Sequence, residues 1–260
     1  MSQKGTALVT GGSSGIGLEI ARVLARQGYT LGLVARSRDT LDAVAHEMAA
    51  SHGVEVRAFA CDLSEAEARD ALWREIEAAG LAIDVLVNNA GFGLFGPFRQ
   101  SDLEAERRMI ELNVTALVTL TKRCVPGMIA RGHGRVLNVA STAAFLPGPA
   151  MSVYYATKAF VLSFSEAIGD ELRETGVTVT ALCPGPTATR FQAAARMERS
   201  RLMQSVMMSP AEVAEAGVAG MHEGRAVVVP GLRNRAVPWL VRLLPRRLVT
   251  AISRRAAEVG

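Results

Sequence analysis

A chain of 260 residues that is 49% hydrophobic and 21% charged carries enough apolar side chain for one sizeable core, which excludes wholesale disorder and predicts a single domain. Its three cysteines, Cys61, Cys124 and Cys183, are widely spaced in apolar stretches, the pattern of buried free thiols and not of a disulfide framework. The four histidines (His46, His52, His133, His222) lack metal-ligand spacing, and the net charge of +4 accompanies no nucleic-acid-binding motif, so neither a metal nor a nucleic-acid partner is expected.

Taken from the N-terminus, Met1 to Thr10 holds one Lys and an apolar stretch too short for a signal sequence or a membrane span, which makes a cytoplasmic location the expectation. Strand-length apolar runs then alternate with helix-period segments: strands at Ala7–Thr10, Thr30–Ala35, Glu55–Cys61 and Asp84–Asn88, with helices over Leu18–Gln27, Leu41–Ser51, about Glu65–Ala79 and about Leu103–Ala130. Strands at Arg135–Ala140, Val177–Cys183 and Ala226–Val229, and a helix from Tyr154 to about Arg173, complete the set. Strands buried on both faces read as continuous runs, and right-handed βαβ units stack them side by side. The predicted fold is therefore α/β, a doubly wound Rossmann fold whose seven-stranded parallel sheet is flanked by helices. The domain is expected to occupy residues 1–232, with 233–260 a dependent tail. Ser209-Pro210-Ala211-Glu212 reads as a capping box that opens a further helix. The segment from Pro184 to Ser209, with Met197, Met203, Met207 and Met208, reads as a lid with helical pieces.

Between the first strand and the first helix lies Thr10-Gly11-Gly12-Ser13-Ser14-Gly15-Ile16-Gly17, a place where backbone N–H groups and a positive helix end can receive a dinucleotide's pyrophosphate. Gly11, Ser13, Ser14, Gly15, Ile16 and Gly17 are its candidate contacts. At the end of the second strand, where an NAD-binding chain offers an acid to the ribose hydroxyls, stand Arg36, Ser37 and Arg38. Guanidinium forks and a hydroxyl suit a 2′-phosphate, which points to NADP(H) over NAD(H). Tyr154 and Lys158, four residues apart, project from one helical face. A nearby ammonium favours phenolate, so this pairing predicts a Tyr154 pKa lowered toward neutrality.

With Thr10 to Gly17, Asn88-Asn89-Ala90-Gly91, Ser141, Tyr154, Lys158 and Pro184-Gly185 all in order over about the first 230 residues, the sequence resembles the short-chain dehydrogenase/reductase family, of the NADP(H)-preferring type. The resemblance implies that Ser141 hydrogen-bonds the substrate oxygen, Tyr154 donates or takes its proton, and Lys158 holds the nicotinamide ribose. It implies that Asn113 positions a water in a proton relay. It also places Asp62 and Leu63 at the adenine edge, Asn89, Ala90 and Gly91 beneath the adenine, and Pro184, Gly185, Thr187 and Thr189 on the nicotinamide side. Family members often have Val or Ile where this chain has Thr187. The reading that follows is an NADP(H)-dependent carbonyl reductase. The alternatives are an NAD-dependent alcohol dehydrogenase and a non-catalytic dinucleotide-binding regulator.

Phe92, Leu94, Phe95, Phe145, Leu146, Pro147 and Met151 predict an apolar pocket for a small-molecule ketone or secondary alcohol with a lipophilic body. Residues 233–255 carry seven Arg and no acid among Trp239, Leu240, Leu243, Leu248 and Ile252. They read as two short basic amphipathic helices, divided at Pro238 and Pro245, able to lie on an anionic membrane, to cover the pocket or to meet another subunit. The family resemblance implies a homo-oligomer, dimer or tetramer, with the helices at Leu103–Ala130 and Tyr154–Arg173 as candidate contacts.

Overall fold

In the computed structural model residues 4–189, 191 and 207–257 are described. Seven strands, β1 (Thr6–Thr10), β2 (Thr30–Ala35), β3 (Val56–Ala60), β4 (Ile83–Asn88), β5 (Gly134–Val139), β6 (Val177–Leu182) and β7 (Val227–Val228), form one sheet in the order β3-β2-β1-β4-β5-β6-β7. Every pairing is parallel. The helices are α1 (Gly15–Arg26), α2 (Arg38–His52), α3 (Ala66–Ala78), α4 (Leu103–Ile110), α5 (Leu117–Arg131), α6 (Ser152–Glu171), α7 (Pro210–His222), α8 (Leu232–Leu243) and α9 (Arg246–Ala257).

Alternate strand residues feed two opposite cores, the signature of a sheet covered on both sides. Ala7, Val9, Leu31 and Leu33 pack with Ile20 and Leu24 of α1, Leu41 and Met48 of α2, and Val213 and Met221 of α7. Their neighbours Leu8, Val34 and Leu86 turn the other way, onto Leu72 and Ile76 of α3 and Leu120, Cys124 and Met128 of α5. All three cysteines are free and buried, and burial pushes Cys61 up to about 11 and Cys124 and Cys183 up to about 12, far from thiolate at neutral pH.

The helix expected over Leu103–Ala130 is one helical run with an unforeseen middle. Asp102 caps α4 by accepting from the Glu104 and Ala105 N–H groups, and between α4 and α5 the turn Glu111–Ala116 is π-helical. Hydrophobic periodicity does not reveal such a widening, because a single π turn is too short to show a period of its own. The capping box at Ser209 is present, with Ser209 Oγ accepting from Glu212 N–H at 3.2 Å and the Glu212 carboxylate accepting from Ser209 N–H at 2.9 Å. Pro245 does separate α8 from α9, but Pro238 lies inside α8, where its ring lines a pocket with Val229, Pro230 and Trp239. Of the expected lid, residues 190 and 192–206, including Met197 and Met203, lie outside the described residues.

Strand order reverses between β1 and β4, the topological switch point above which α/β sheets bind ligands. Val9 of β1 pairs with Val87 of β4, so the glycine turn and the Asn88-Asn89-Ala90-Gly91 turn leave the sheet side by side.

Candidate active site

Thr10 ties those two turns together. Its hydroxyl donates to Val87 O at 3.1 Å and accepts from the N–H groups of Asn89 and Ala90 at 2.9 and 3.0 Å. Asn89 returns the contact, its amide donating to Thr10 O and Gly11 O at 2.9 and 3.2 Å. Gly11 and Gly15 have φ of +65° and +57°, conformations a Cβ disfavours, and a Cβ on Gly17 would overlap the Gly11 carbonyl and the Asn89 amide. No acid stands in the first turn of α1, and the Ser14 side chain makes no cap bond. Bare N–H groups at a helix N-terminus, with no carboxylate to compete, fit a pyrophosphate. Gly17→Ala is expected to cost about 1–3 kcal/mol of stability by overpacking, read as a lowered urea midpoint at unchanged slope. An unaltered midpoint would show that the turn is not rigid.

At the end of β2 the three expected phosphate contacts are not equivalent. Arg36 is exposed and near Asp62. Arg38 is engaged by Asp42 at 3.0 Å, and the Ser37 and Thr40 hydroxyls share a hydrogen bond of 2.9 Å. Partial burial works to raise the Asp62 carboxyl, yet hydrogen bonds from the Ser64 hydroxyl and N–H, with Arg36 and Arg108 nearby, hold it below the usual range. Leu63 beside it is buried.

Ser141, Tyr154 and Lys158 converge from separate elements. Ser141 follows β5 and caps a 3-10 turn, Thr142–Phe145, its hydroxyl accepting from Ala143 N–H at 3.1 Å. Tyr154 and Lys158 occupy the first two turns of α6. Lys158 is buried and donates to Val139 O at 2.7 Å, and its Nζ lies 5.9 Å from the Tyr154 ring centre. Burial pushes the Tyr154 phenol above the ordinary tyrosine range, the Ser141 hydroxyl pulling the other way and Tyr155 adding to the rise. This reverses the expected lowering: desolvation of the phenolate outweighs the hydrogen bond with Ser141.

Burial likewise brings Lys158 down, to about 8, against a smaller upward effect of Cys183. Because the folded pKa lies below the unfolded value, the unfolded chain binds the extra proton between pH 8 and about 10, so stability rises with pH across that window. Lys158→Met should therefore be more stable than the parent at pH 7, by about 3 kcal/mol, with the gap closing toward pH 10. Urea melts without added nucleotide test this, and a gap independent of pH would contradict it.

Asn113 lies in the π-helical turn, 2% exposed. Its Oδ1 accepts from Phe92 N–H at 3.1 Å, and its Nδ2 donates to Phe92 O at 2.9 Å and to Thr157 Oγ1 at 3.1 Å. Both amide protons are thus used, so any water this residue orients must bind its main chain or the second Oδ1 lone pair. Thr157, missed in the sequence, in turn donates to Tyr154 O at 2.7 Å. A Cβ on Gly91 would stand 2.9 Å from Asn113 Oδ1 and 3.6 Å from Lys158 Nζ, so Gly91 sits between the two.

Thr142 N–H donates to Pro184 O at 2.9 Å, and the Thr187 hydroxyl donates to Gly185 O at 2.9 Å. Thr187 also forms a bridge with Met208. The Thr189 side chain reaches the Gly15 turn, bringing the Pro184 loop to the glycine loop. Around Tyr154 an apolar wall is built from Phe95, Met151, Tyr155 and Phe191. Phe191 was not singled out from the sequence; its ring lies 5.3 Å from that of Tyr154. Phe145 packs elsewhere, against the α6 side of β6. Asn234 of α8, also unforeseen, abuts Gly185, where a Cβ would stand 2.5 Å from its amide. Ala150, just before α6, is the one non-glycine among the described residues with positive φ, +66°, a strain of the kind held at functional sites.

Against known proteins, the sequence model of the short chain dehydrogenase family matches residues 5–200. The very-long-chain 3-oxoacyl-CoA reductase of Homo sapiens is 36% identical over 189 residues, 71% of this chain and 60% of the relative. The chain thus spans about 60% of the length of that relative. A short-chain dehydrogenase from Sphingobium yanoikuyae, solved in complex with NADPH, superposes with a TM-score of 0.83 at 35% identity, over 89% of this chain and 90% of that one. The bulky-bulky ketone specific alcohol dehydrogenase from Comamonas testosteroni gives 0.78 at 28% identity, over 93% and 95%.

Proposed function

The chain belongs to the short chain dehydrogenase family, and from that membership we propose that it transfers hydride between NADP(H) and a ketone or secondary alcohol with a lipophilic body. The observation that carries the reading is the meeting of Ser141, Tyr154 and Lys158, with Gly91 of the turn after β4 beside Lys158. When bound, the nicotinamide supplies or accepts the hydride.

The protein's part is binding and proton transfer. The glycine turn and the first turn of α1 hold the pyrophosphate, and Arg36 meets the 2′-phosphate, with Arg38 and Ser37 beside it. Asp62 and Leu63 border the adenine, with Asn89, Ala90 and Gly91 beneath it. Lys158 and the Pro184–Thr189 loop serve the nicotinamide half. Ser141 donates to the substrate oxygen, and Tyr154, kept a neutral phenol by burial, gives that oxygen its proton as the carbon accepts hydride. Asn113 holds the loop at Phe92 in register with α6.

For the substrate, the wall of Phe95, Met151, Tyr155 and Phe191 favours bulky apolar groups beside the carbonyl. That agrees in kind with the 3-oxoacyl-CoA and bulky ketone named for the two relatives. A self-associated protein is part of the reading, through the α4–α6 face, where Phe160 and Phe164 stack at 5.7 Å and Phe160 and Ile110 are exposed. The deciding experiment follows NADPH and NADH oxidation with 3-oxoacyl thioesters and bulky aryl ketones. NADPH turnover is expected; binding of neither nucleotide would overturn the proposal, and turnover with NADH alone would restore the NAD-dependent alternative.

A further inference from the structure

An amphipathic helix at the rim of a domain ordinarily turns its apolar stripe inward. α8 does the opposite. Leu232, Trp239 and Leu243, spaced to share one helical face, are 83%, 69% and 82% exposed, with Leu240 beside them at 55%. Asn234, Val237, Pro238 and Val241 face inward instead, Asn234 holding Pro230 O at 2.8 Å. On α9, Leu248 and Ile252 are likewise 47% and 50% exposed, while Val249 and Ser253 are buried.

Cations border this apolar face. Arg233 flanks it on one side of α8 and Arg235 and Arg242 on the other. Residues 233–255 contain seven Arg and no acid, and among the described residues none of the seven forms an ion pair. A contiguous exposed apolar patch of this kind marks an interaction site. Its occupant must offer both an apolar interior and fixed negative charge. A second copy docked through the same face would set one arginine cluster against the other. The helices of the described residues are too short or too polar to cross a bilayer, which leaves its surface.

We infer that α8 and α9 dock this protein onto an anionic lipid surface, with Leu232, Trp239, Leu240 and Leu243 entering the acyl boundary and the flanking arginines meeting lipid phosphates. The inner side of α8 abuts Gly185 through Asn234, so the helix that presents the docked face packs with its other side on the loop assigned to the nicotinamide half. Docking itself requires no turnover, and its test is independent of the proposed reaction.

The chain has two tryptophans, Trp73 and Trp239, so Trp73→Phe leaves Trp239 as the sole reporter. The full chain with that change would be mixed with vesicles of phosphatidylcholine alone or with about a third phosphatidylglycerol. Sedimentation with the anionic vesicles should exceed that with neutral ones by about tenfold or more, and Trp239 emission should shift to the blue. Replacing Arg242, Arg246 and Arg247 by Gln should cut binding by about a hundredfold; Leu240→Ser with Leu243→Ser should remove the blue shift. All five positions are exposed, and a circular dichroism melt checks that the variants fold. No preference for anionic vesicles, or adsorption without a Trp239 shift, would overturn the inference. So would self-association that shifts Trp239 before any lipid is added, which would assign the face to a second copy.

Discussion

Tyr154→Phe is expected to lower kcat for NADPH-dependent reduction by about 10²- to 10⁴-fold, the usual contribution of a positioned acid, while NADPH binding stays close to that of the parent. The change removes one hydroxyl and keeps the ring that packs on Phe191 and Tyr155. Loss of activity can then be read as loss of the proton donor and not of the fold. The same result should hold across the neutral range, since burial keeps the phenol protonated well above it. Stopped-flow reduction with an active ketone, alongside fluorescence titration of NADPH, separates the two effects. If turnover survives in the Phe variant, the proton comes from elsewhere and the role given to Tyr154 is wrong.

Arg36→Asp is expected to weaken NADPH by about a hundredfold, since hydrogen bonds to charged groups contribute about 1.5–3 kcal/mol and an introduced carboxylate adds repulsion toward the 2′-phosphate. NADH should lose little or gain, because a carboxylate at the end of β2 can accept from the ribose hydroxyls. Arg38→Ala should do much less. Its guanidinium is already turned to Asp42 on the surface of α2, and an exposed pair of that kind holds the side chain at little cost, typically about 0–1 kcal/mol. Titration of both nucleotides against both variants checks the ratio. An unchanged preference after Arg36→Asp would remove this residue from the cofactor site.

By itself the sequence determined the sheet, the glycine turn and the Tyr154–Lys158 pair, because each depends on local spacing. Short continuous apolar runs such as Leu31–Ala35 and Val85–Val87, alternating with helix-period segments, read as strands buried on both faces. Gly11, Gly15 and Gly17 mark places where backbone must approach backbone, and four residues of helix carry Tyr154 to Lys158. Tertiary structure alone decided what depends on residues far apart in the chain. The π-helical turn that delivers Asn113 to Phe92 and Thr157 leaves no mark in a periodic pattern. Phe191 and Asn234 join the site from segments whose own sequence has no reason to name them. Lys158 was expected to lower Tyr154, yet the phenol is raised, since desolvation is set by everything packed around a group and not by its neighbour on the helix. The tail shows the same divide most plainly: its pattern establishes that one face is apolar and its borders basic, but whether that face meets the core or the solvent is settled by Asn234, which holds Pro230 O, and by the burial of Val249 and Ser253.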